Sequence, residues 1–557
     1  MSTNPDLAFP DFPYVRPDLA KEEAAFRAVL STLETAEDVE AAIKAVDRID
    51  AIRAGIATAQ NIGYIRYSID TRDDFYQAEK KWFDEHLPAT QAWQVDYYRA
   101  LISSPHRAAL EAHFGKQFFA TAELSIKTFQ PDLIVDLQEE NKGYSDYTAL
   151  KGGAQVVLDG ETYNLSSIVP KCQDADRALR QRANQAKWDW MGDHQEQFER
   201  IYDELVKLRH GMARKLGYEN FVPLGYARMN RTDYGPEQVA VFRDEVKKYI
   251  VPIAARLAQE QAQRIGVEQL RYYDVQFRFP EGNPKPQGKM ADTVAAARKL
   301  YDGLSPETGA FFRLLEERKL MDLEAKDGKA TGGYCTYIND YGAPYIFSNF
   351  NRTSHDVDVL THEFGHAFQV YSSRHQRPME YAWPTYDAAE IHSMSMEFFA
   401  YPGVPDFFGD DAHKYYYSHL ESAIRFLPYG CAIDEFQHLV YENPDWTPEQ
   451  RNTAWKQLEA EYMPYVDYSD HSFLAQGTYW QSQLHLFGMP FYYIDYCLAQ
   501  ICAFQFWLKD REDHQKAWTD YVRLCQAGGS KSFLGLVELA GLENPFQEGI
   551  MERIAGV

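Results

Sequence analysis

Residues Asp356 to Ser373 read DVDVLTHEFGHAFQVYSS. Taken as a helix, this stretch puts His362 and His366 four residues apart on one face. Two imidazoles at that spacing reach a single zinc ion. Glu363 follows the first histidine directly, where its carboxylate can reach a metal-bound water without ligating the metal. Val357, Leu360, Phe364, Ala367 and Phe368 recur at spacings of three and four, the stripe of an amphipathic helix. Ser354 and Asp356 are candidate N-caps. Gly365 inside the motif costs about 1 kcal/mol of helix propensity relative to Ala, so its presence calls for close packing, which we expect under a metal.

The rest of the chain limits what such a helix can serve. Its 557 residues are 45% hydrophobic and 25% charged, an ordinary globular composition with ample core. The net charge of −25 argues against nucleic acid or an anionic membrane as partner, because phosphate recognition needs clustered Lys and Arg. The N-terminus shows no basic segment followed by an apolar one, so no secretory signal is expected. The longest apolar run, Tyr496 to Leu508, contains Gln500 and Gln505 and is too short and polar to span a bilayer. Six scattered cysteines without a C-x-x-C pair read as reduced thiols of a cytoplasmic protein. The sequence leaves monomer and small homo-oligomer both open.

Helical signals dominate from residue 20 to about 330. Lys21 to Asp50, Thr71 to Ser103, His106 to Phe118, Asp174 to Leu216 and Pro236 to Ile265 each carry the 3.6-residue period. The break lies near 152–165, where Gln155 to Leu158, Asp159-Gly160 and Thr162 to Leu165 read as a β-hairpin with a type I′ turn. Phe277 to Gly288 holds three Pro and two Gly and reads as a linker or lid. Residues 328 to 350 exchange Ala, Glu and Leu for Gly, Tyr, Thr and Ile, and predict two short strands turning at Asp340 to Ala343. Beside a metal, an edge strand can hold an extended peptide by main-chain hydrogen bonds. The expected organisation is a largely helical region 1–327 forming one wall of a channel and a metal-binding region 328–557.

Catalytic zinc takes three protein ligands and keeps one position open. The third candidate lies in Tyr386 to Tyr401, YDAAEIHSMSMEFFAY. Read as a helix, this segment places Glu390, Ser393 and Glu397 on one face. Glu390 sits among Ala388, Ala389 and Ile391, and a carboxylate in such a setting is rare unless paired or metal-bound. Glu397 is placed to accept a hydrogen bond from the free ring nitrogen of a ligand histidine, whereas His392 falls on another face and reads as structural. The segment Gly477 to Gln505 carries His485, Tyr492, Tyr493 and Tyr496, donors of the kind that stabilise negative charge on a carbonyl oxygen.

HEFGHAF, the glutamate 24 residues beyond His366 within EIHSMSME, the H-then-PFYYIDY cluster and the lead-in DLEAKDGKATGGYC (322–335) together resemble the thimet oligopeptidase and oligoendopeptidase F family, most closely its bacterial Pz-peptidase/oligoendopeptidase F branch. The likeness is strongest from Asp322 to Trp507, and RMNRTDYG (228–235) extends it. The resemblance implies a mainly α, two-lobed helical shell around a deep channel. It implies one Zn2+ held by His362, His366 and Glu390, Glu363 as general base, and His485 with Tyr493 and Tyr496 at the scissile carbonyl, Tyr492 being the alternative. The implied activity is hydrolysis of internal bonds of short peptides by zinc-activated water. A catalytically silent peptide-binding protein of the same fold and a helical zinc exopeptidase are the competing readings.

Overall fold

The first three helices each start where an aspartate can satisfy free backbone N–H groups. The structure, a computed structural model, describes residues 7–556. Leu19–Glu34 begins behind Asp18, Val39–Ile69 behind Asp38 and Asp74–Ser103 behind Asp73, each carboxylate accepting from the first turn. The single helix expected over 21–50 is therefore two, because Asp38 restarts the chain after Thr35. Arg107–Phe114 and Lys116–Lys127 complete a group of five helices. They enclose their own apolar core, including Phe26, Leu33, Val46, Ile49, Tyr97, Leu101 and Phe118.

A hairpin of β1 (Val156–Leu158) and β2 (Glu161–Tyr163) follows, with Asp159 and Gly160 both at positive φ in its turn. The expected helix over 174–216 divides at His194 into Arg177–Asp193 and Gln195–Lys215. The one over 236–265 contains a π-helical turn at Val246–Ile250, which ends two residues before Pro252. Proline has no N–H for the preceding turn, and the widened turn accommodates that gap. Residues 277–288 are tied at both ends. Arg278 pairs with Glu421 and donates to Ser422 Oγ at 2.7 Å, and Gln287 N donates to Phe407 O at 2.8 Å. The segment is a strap across the body of the molecule, not a linker between domains.

The second sheet has three strands where two were expected. β3 (Met321–Glu324), β4 (Tyr334–Ile338) and β5 (Ala343–Phe350) lie in the order β3-β5-β4. β5 pairs parallel with β3 and antiparallel with β4. β4 is an edge strand. Just before it, a β-carbon at Gly333 would lie 3.2 Å from Val359 and 3.6 Å from Glu363 Oε1, so the strand enters alongside the metal-motif helix.

That helix spans His355–Ser373, and the helix bearing Glu390 spans Tyr386–Phe399. We call them the motif helix and the glutamate helix. The tyrosine helix, Tyr493–Glu512, packs on the opposite side of the glutamate helix, and the long helix Ala412–Glu442 packs against the tyrosine helix. The glutamate helix is thereby sandwiched, and every residue from Asp387 to Met396 is buried. The loop joining the motif and glutamate helices sends Tyr381 into the N-terminal core. There the Tyr381 hydroxyl accepts from Phe118 N at 2.9 Å. The result is a mainly α, two-lobed helical shell with two small sheets. Among the described residues no helix is long and apolar enough to cross a membrane.

Candidate metal centre

The motif helix starts at His355, but its cap differs from the one expected. Ser354 makes no side-chain capping bond. Asp356 turns back and accepts from Asn351 N at 2.9 Å and Arg352 N at 2.7 Å, fixing the turn that feeds the helix. Gly365 also has a different reason from the one expected. A β-carbon there would sit 2.7 Å from His392 O and from Ser393 Cα. The glycine lets the motif and glutamate helices touch backbone to backbone, and this contact brings Glu390 to the histidines.

His362 Nε2 and His366 Nε2 lie 3.2 Å and 3.4 Å from the same oxygen, Glu390 Oε2. All three donors fall within 4.8 Å of one another. Tetrahedral bonds of 2.0–2.2 Å separate ligand atoms by about 3.3–3.6 Å, so the two edges from Glu390 Oε2 are close to those around a small divalent ion. Buried Glu390 is steadied by Ser393 Oγ, which donates at 2.8 Å, and by the Tyr492 hydroxyl, which donates to its other oxygen. Burial pushes the Glu390 pKa up, but the charges and hydrogen bonds of His366 and His362 hold it well below the usual carboxylate range. The site therefore presents carboxylate to imidazole and favours a cation.

Around this core lies a relay that extends beyond Glu397. His362 Nδ1 meets Glu397 Oε1 at 2.7 Å, Glu397 Oε2 meets His419 Nε2 at 2.7 Å, and His419 Nδ1 meets the Tyr401 hydroxyl at 2.8 Å. Burial acts against the Glu397 charge, but hydrogen bonds from His362 and His419 bring its pKa to about 2. His392 lies outside this network. Its Nδ1 bonds to Ala388 O at 2.8 Å and burial lowers its pKa to about 4.

Glu363 is buried, and its Oε2 has no hydrogen-bond partner among the described residues. An unpartnered carboxylate oxygen beside the imidazoles of His362 and His366 has the reach and the unused acceptor of a proton-transfer group. Burial raises its pKa, with the imidazoles opposing.

His485, Tyr492, Tyr493 and Tyr496 converge beside this centre with different surroundings. His485 Nε2 lies 3.5 Å from the Tyr496 hydroxyl. Tyr496 is partly exposed, and its pKa is pushed well up by burial and then by the charge of Glu390, so it remains a proton donor. Tyr492 is committed to Glu390. Tyr493 stands edge-on to Phe426 and Tyr429 at 5.5 Å and 5.7 Å, with the His485 ring 4.9 Å away, and so belongs to the aromatic wall. Reading the sequence missed His419, whose glutamate partner lies 22 residues away, and Gln483, whose contact with His485 skips only one residue.

A helical fold that holds two imidazoles, a distant glutamate and a free carboxylate in this way belongs to a metallopeptidase. The chain is a member of peptidase family M3. The Peptidase family M3 model matches residues 172–304 and 310–556, and the Peptidase M3 N-terminal domain model matches 9–129. Group B oligopeptidase PepB of Streptococcus agalactiae is 21% identical over 482 residues, which cover 81% of this chain and 76% of that protein. Oligopeptidase PepF of Bacillus subtilis is 23% identical over 278 residues, 48% of this chain but only 40% of that one. Among solved structures, Pz peptidase A with an inhibitor is 51% identical, with a TM-score of 0.97 over 98% of each chain.

Proposed function

We propose that the protein is a zinc endopeptidase of short oligopeptides. The observation that carries this reading is the pair of 3.2 Å and 3.4 Å edges from Glu390 Oε2 to His362 and His366, with the unpartnered Glu363 carboxylate beside them. In this reading His362, His366 and Glu390 hold one zinc. Two imidazoles and a carboxylate suit zinc over harder ions. When bound, zinc supplies Lewis acidity to a water molecule and to the scissile carbonyl.

The chain's own groups do the rest. Glu363 accepts a proton from the attacking water, and its burial-raised basicity suits that task. As the carbon–oxygen bond forms, His485 Nε2–H and the Tyr496 hydroxyl donate to the oxygen that gains negative charge. Glu363 then returns the proton to the amine nitrogen as the carbon–nitrogen bond breaks. Tyr493 supports His485 from the aromatic wall. Extended peptide lies along edge strand β4, with 1–327 forming the facing wall and 328–557 carrying the metal. Six free cysteines, five of them buried, support a reducing cytoplasmic setting.

The test is cleavage of a quenched fluorescent peptide of about eight residues, blocked at both ends. We expect chelator to stop cleavage, zinc to restore it, and the fragments to show an internal cut. Zinc-loaded protein that leaves the blocked peptide intact across a mixed library would exclude the endopeptidase.

A further inference from the structure

His485 can stabilise negative charge only if its proton is on Nε2, the nitrogen that faces Tyr496 and the site. A neutral imidazole carries one proton, and the partner of the other nitrogen decides which nitrogen holds it. Here that partner is Gln483. Its side-chain amide nitrogen lies 2.7 Å from His485 Nδ1, and its amide oxygen lies 2.8 Å from the Tyr429 hydroxyl. Tyr429 comes from the long helix Ala412–Glu442, and Gln483 comes from the loop before Leu484–Gly488.

From this geometry we infer that Gln483, oriented by Tyr429, is a positioning residue that fixes His485 as the Nε2–H tautomer. The Tyr429 hydroxyl donates to the amide oxygen, and with that oxygen engaged the amide nitrogen faces the ring and donates to Nδ1. Nδ1 can then only accept, and the proton resides on Nε2. The reversed amide would put a lone pair on Nε2, facing the developing oxyanion and repelling it. The ring is also kept neutral. Burial, with the charge of Lys151 in the same direction and that of Glu390 opposing, brings its pKa to about 4, so at neutral pH one tautomer must be chosen.

The inference rests on the proposed role of His485 for its catalytic consequence, but the tautomer is measurable without turnover. Zinc-loaded protein labelled with 15N at histidine is examined by long-range proton–nitrogen correlation, with the His485 signals identified by their loss in His485→Phe. We expect an unprotonated Nδ1 and a protonated Nε2 at pH 7. In Gln483→Glu the side chain can only accept, so Nδ1 must become protonated. The ring then keeps Nε2–H only while it holds two protons. We expect kcat of Gln483→Glu to fall as pH rises above neutrality, to a loss on the order of 10²-fold, with KM little changed. Tyr429→Phe, which frees the amide to reverse, should give a smaller kcat loss and mixed ring signals. A protonated Nδ1 in the wild type, or unchanged ring signals in Gln483→Glu, would overturn the assignment. The expected tautomers with full activity in His485→Phe would keep the tautomer assignment and remove His485 from catalysis.

Discussion

Glu363 and Glu397 are both glutamates within reach of His362, yet they face opposite tasks. Glu363 has a free oxygen and a raised pKa; Glu397 has both oxygens committed and a pKa near 2. Substitution should separate them. Glu363→Gln is expected to retain zinc, measured by metal analysis, and to lose about 10²–10⁴-fold in kcat. Glu397→Gln should instead weaken zinc by about 10- to 100-fold, measured by competition with a chelating dye, while the fully loaded variant keeps much of its turnover. A third glutamate tests burial alone. Glu459 is buried, and burial raises its pKa from 4.5 to about 8. A carboxyl with a raised folded-state pKa contributes stability that is complete below about pH 4.5 and is lost as pH rises through about 8. Glu459→Gln removes that dependence. Its Tm should therefore gain on wild type steadily between pH 5 and pH 8, and a constant difference would show that the group does not titrate there.

At the scale of elements, the geometry of the candidate metal centre depends on the contact between two helices, and Gly365 sets it. Gly365→Ala puts a methyl group 2.7 Å from backbone of the glutamate helix, and backbone cannot yield as a side-chain tip can. The expected result is a wider helix pair, a lower Tm and zinc affinity reduced together, measured by calorimetry and metal titration; an unchanged affinity would mean that the helices yield without moving Glu390. The elements also divide into those legible in the sequence and those that are not. The motif helix was legible because its apolar stripe and its paired histidines are local. Glu390 and Glu397 were legible because carboxylates seven residues apart in an apolar helix are costly to bury unless a cation or a hydrogen-bond donor meets them. β3 was not, because four residues, MDLE, become a strand only by pairing with β5, more than 20 positions away. For Gly365 the sequence suggests metal packing, because the crossing helix is invisible until the chain is folded. The choice among Tyr492, Tyr493 and Tyr496 depends on the rotation of one helix, which periodicity alone does not set.

Across the whole molecule, the two cores are joined where the motif and glutamate helices meet their loop. Tyr381 is buried in the N-terminal core, and nearby Glu380 receives Arg53 at 2.7 Å and the Tyr98 hydroxyl at 2.6 Å, while Asp50 accepts from Met379 N at 2.9 Å. Tyr381→Ala should remove roughly 3–5 kcal/mol from the docked state. In urea, fluorescence of Trp93, which lies in that core, should then change before zinc is released. Simultaneous loss of both signals would mean that the lobes unfold as one cooperative unit even without this anchor.

The loop from Arg374 to Thr385 therefore serves two masters, since one end follows His366, the other precedes Glu390, and its middle is packed among the first five helices. A shortened enzyme made by discarding those helices would not be a smaller peptidase. It would expose an aromatic anchor and the Glu380 carboxylate, stripped of Arg53 and Tyr98, on the loop that spaces His366 from Glu390, so the five amino-terminal helices are part of the price of a well-shaped candidate metal centre far along the chain.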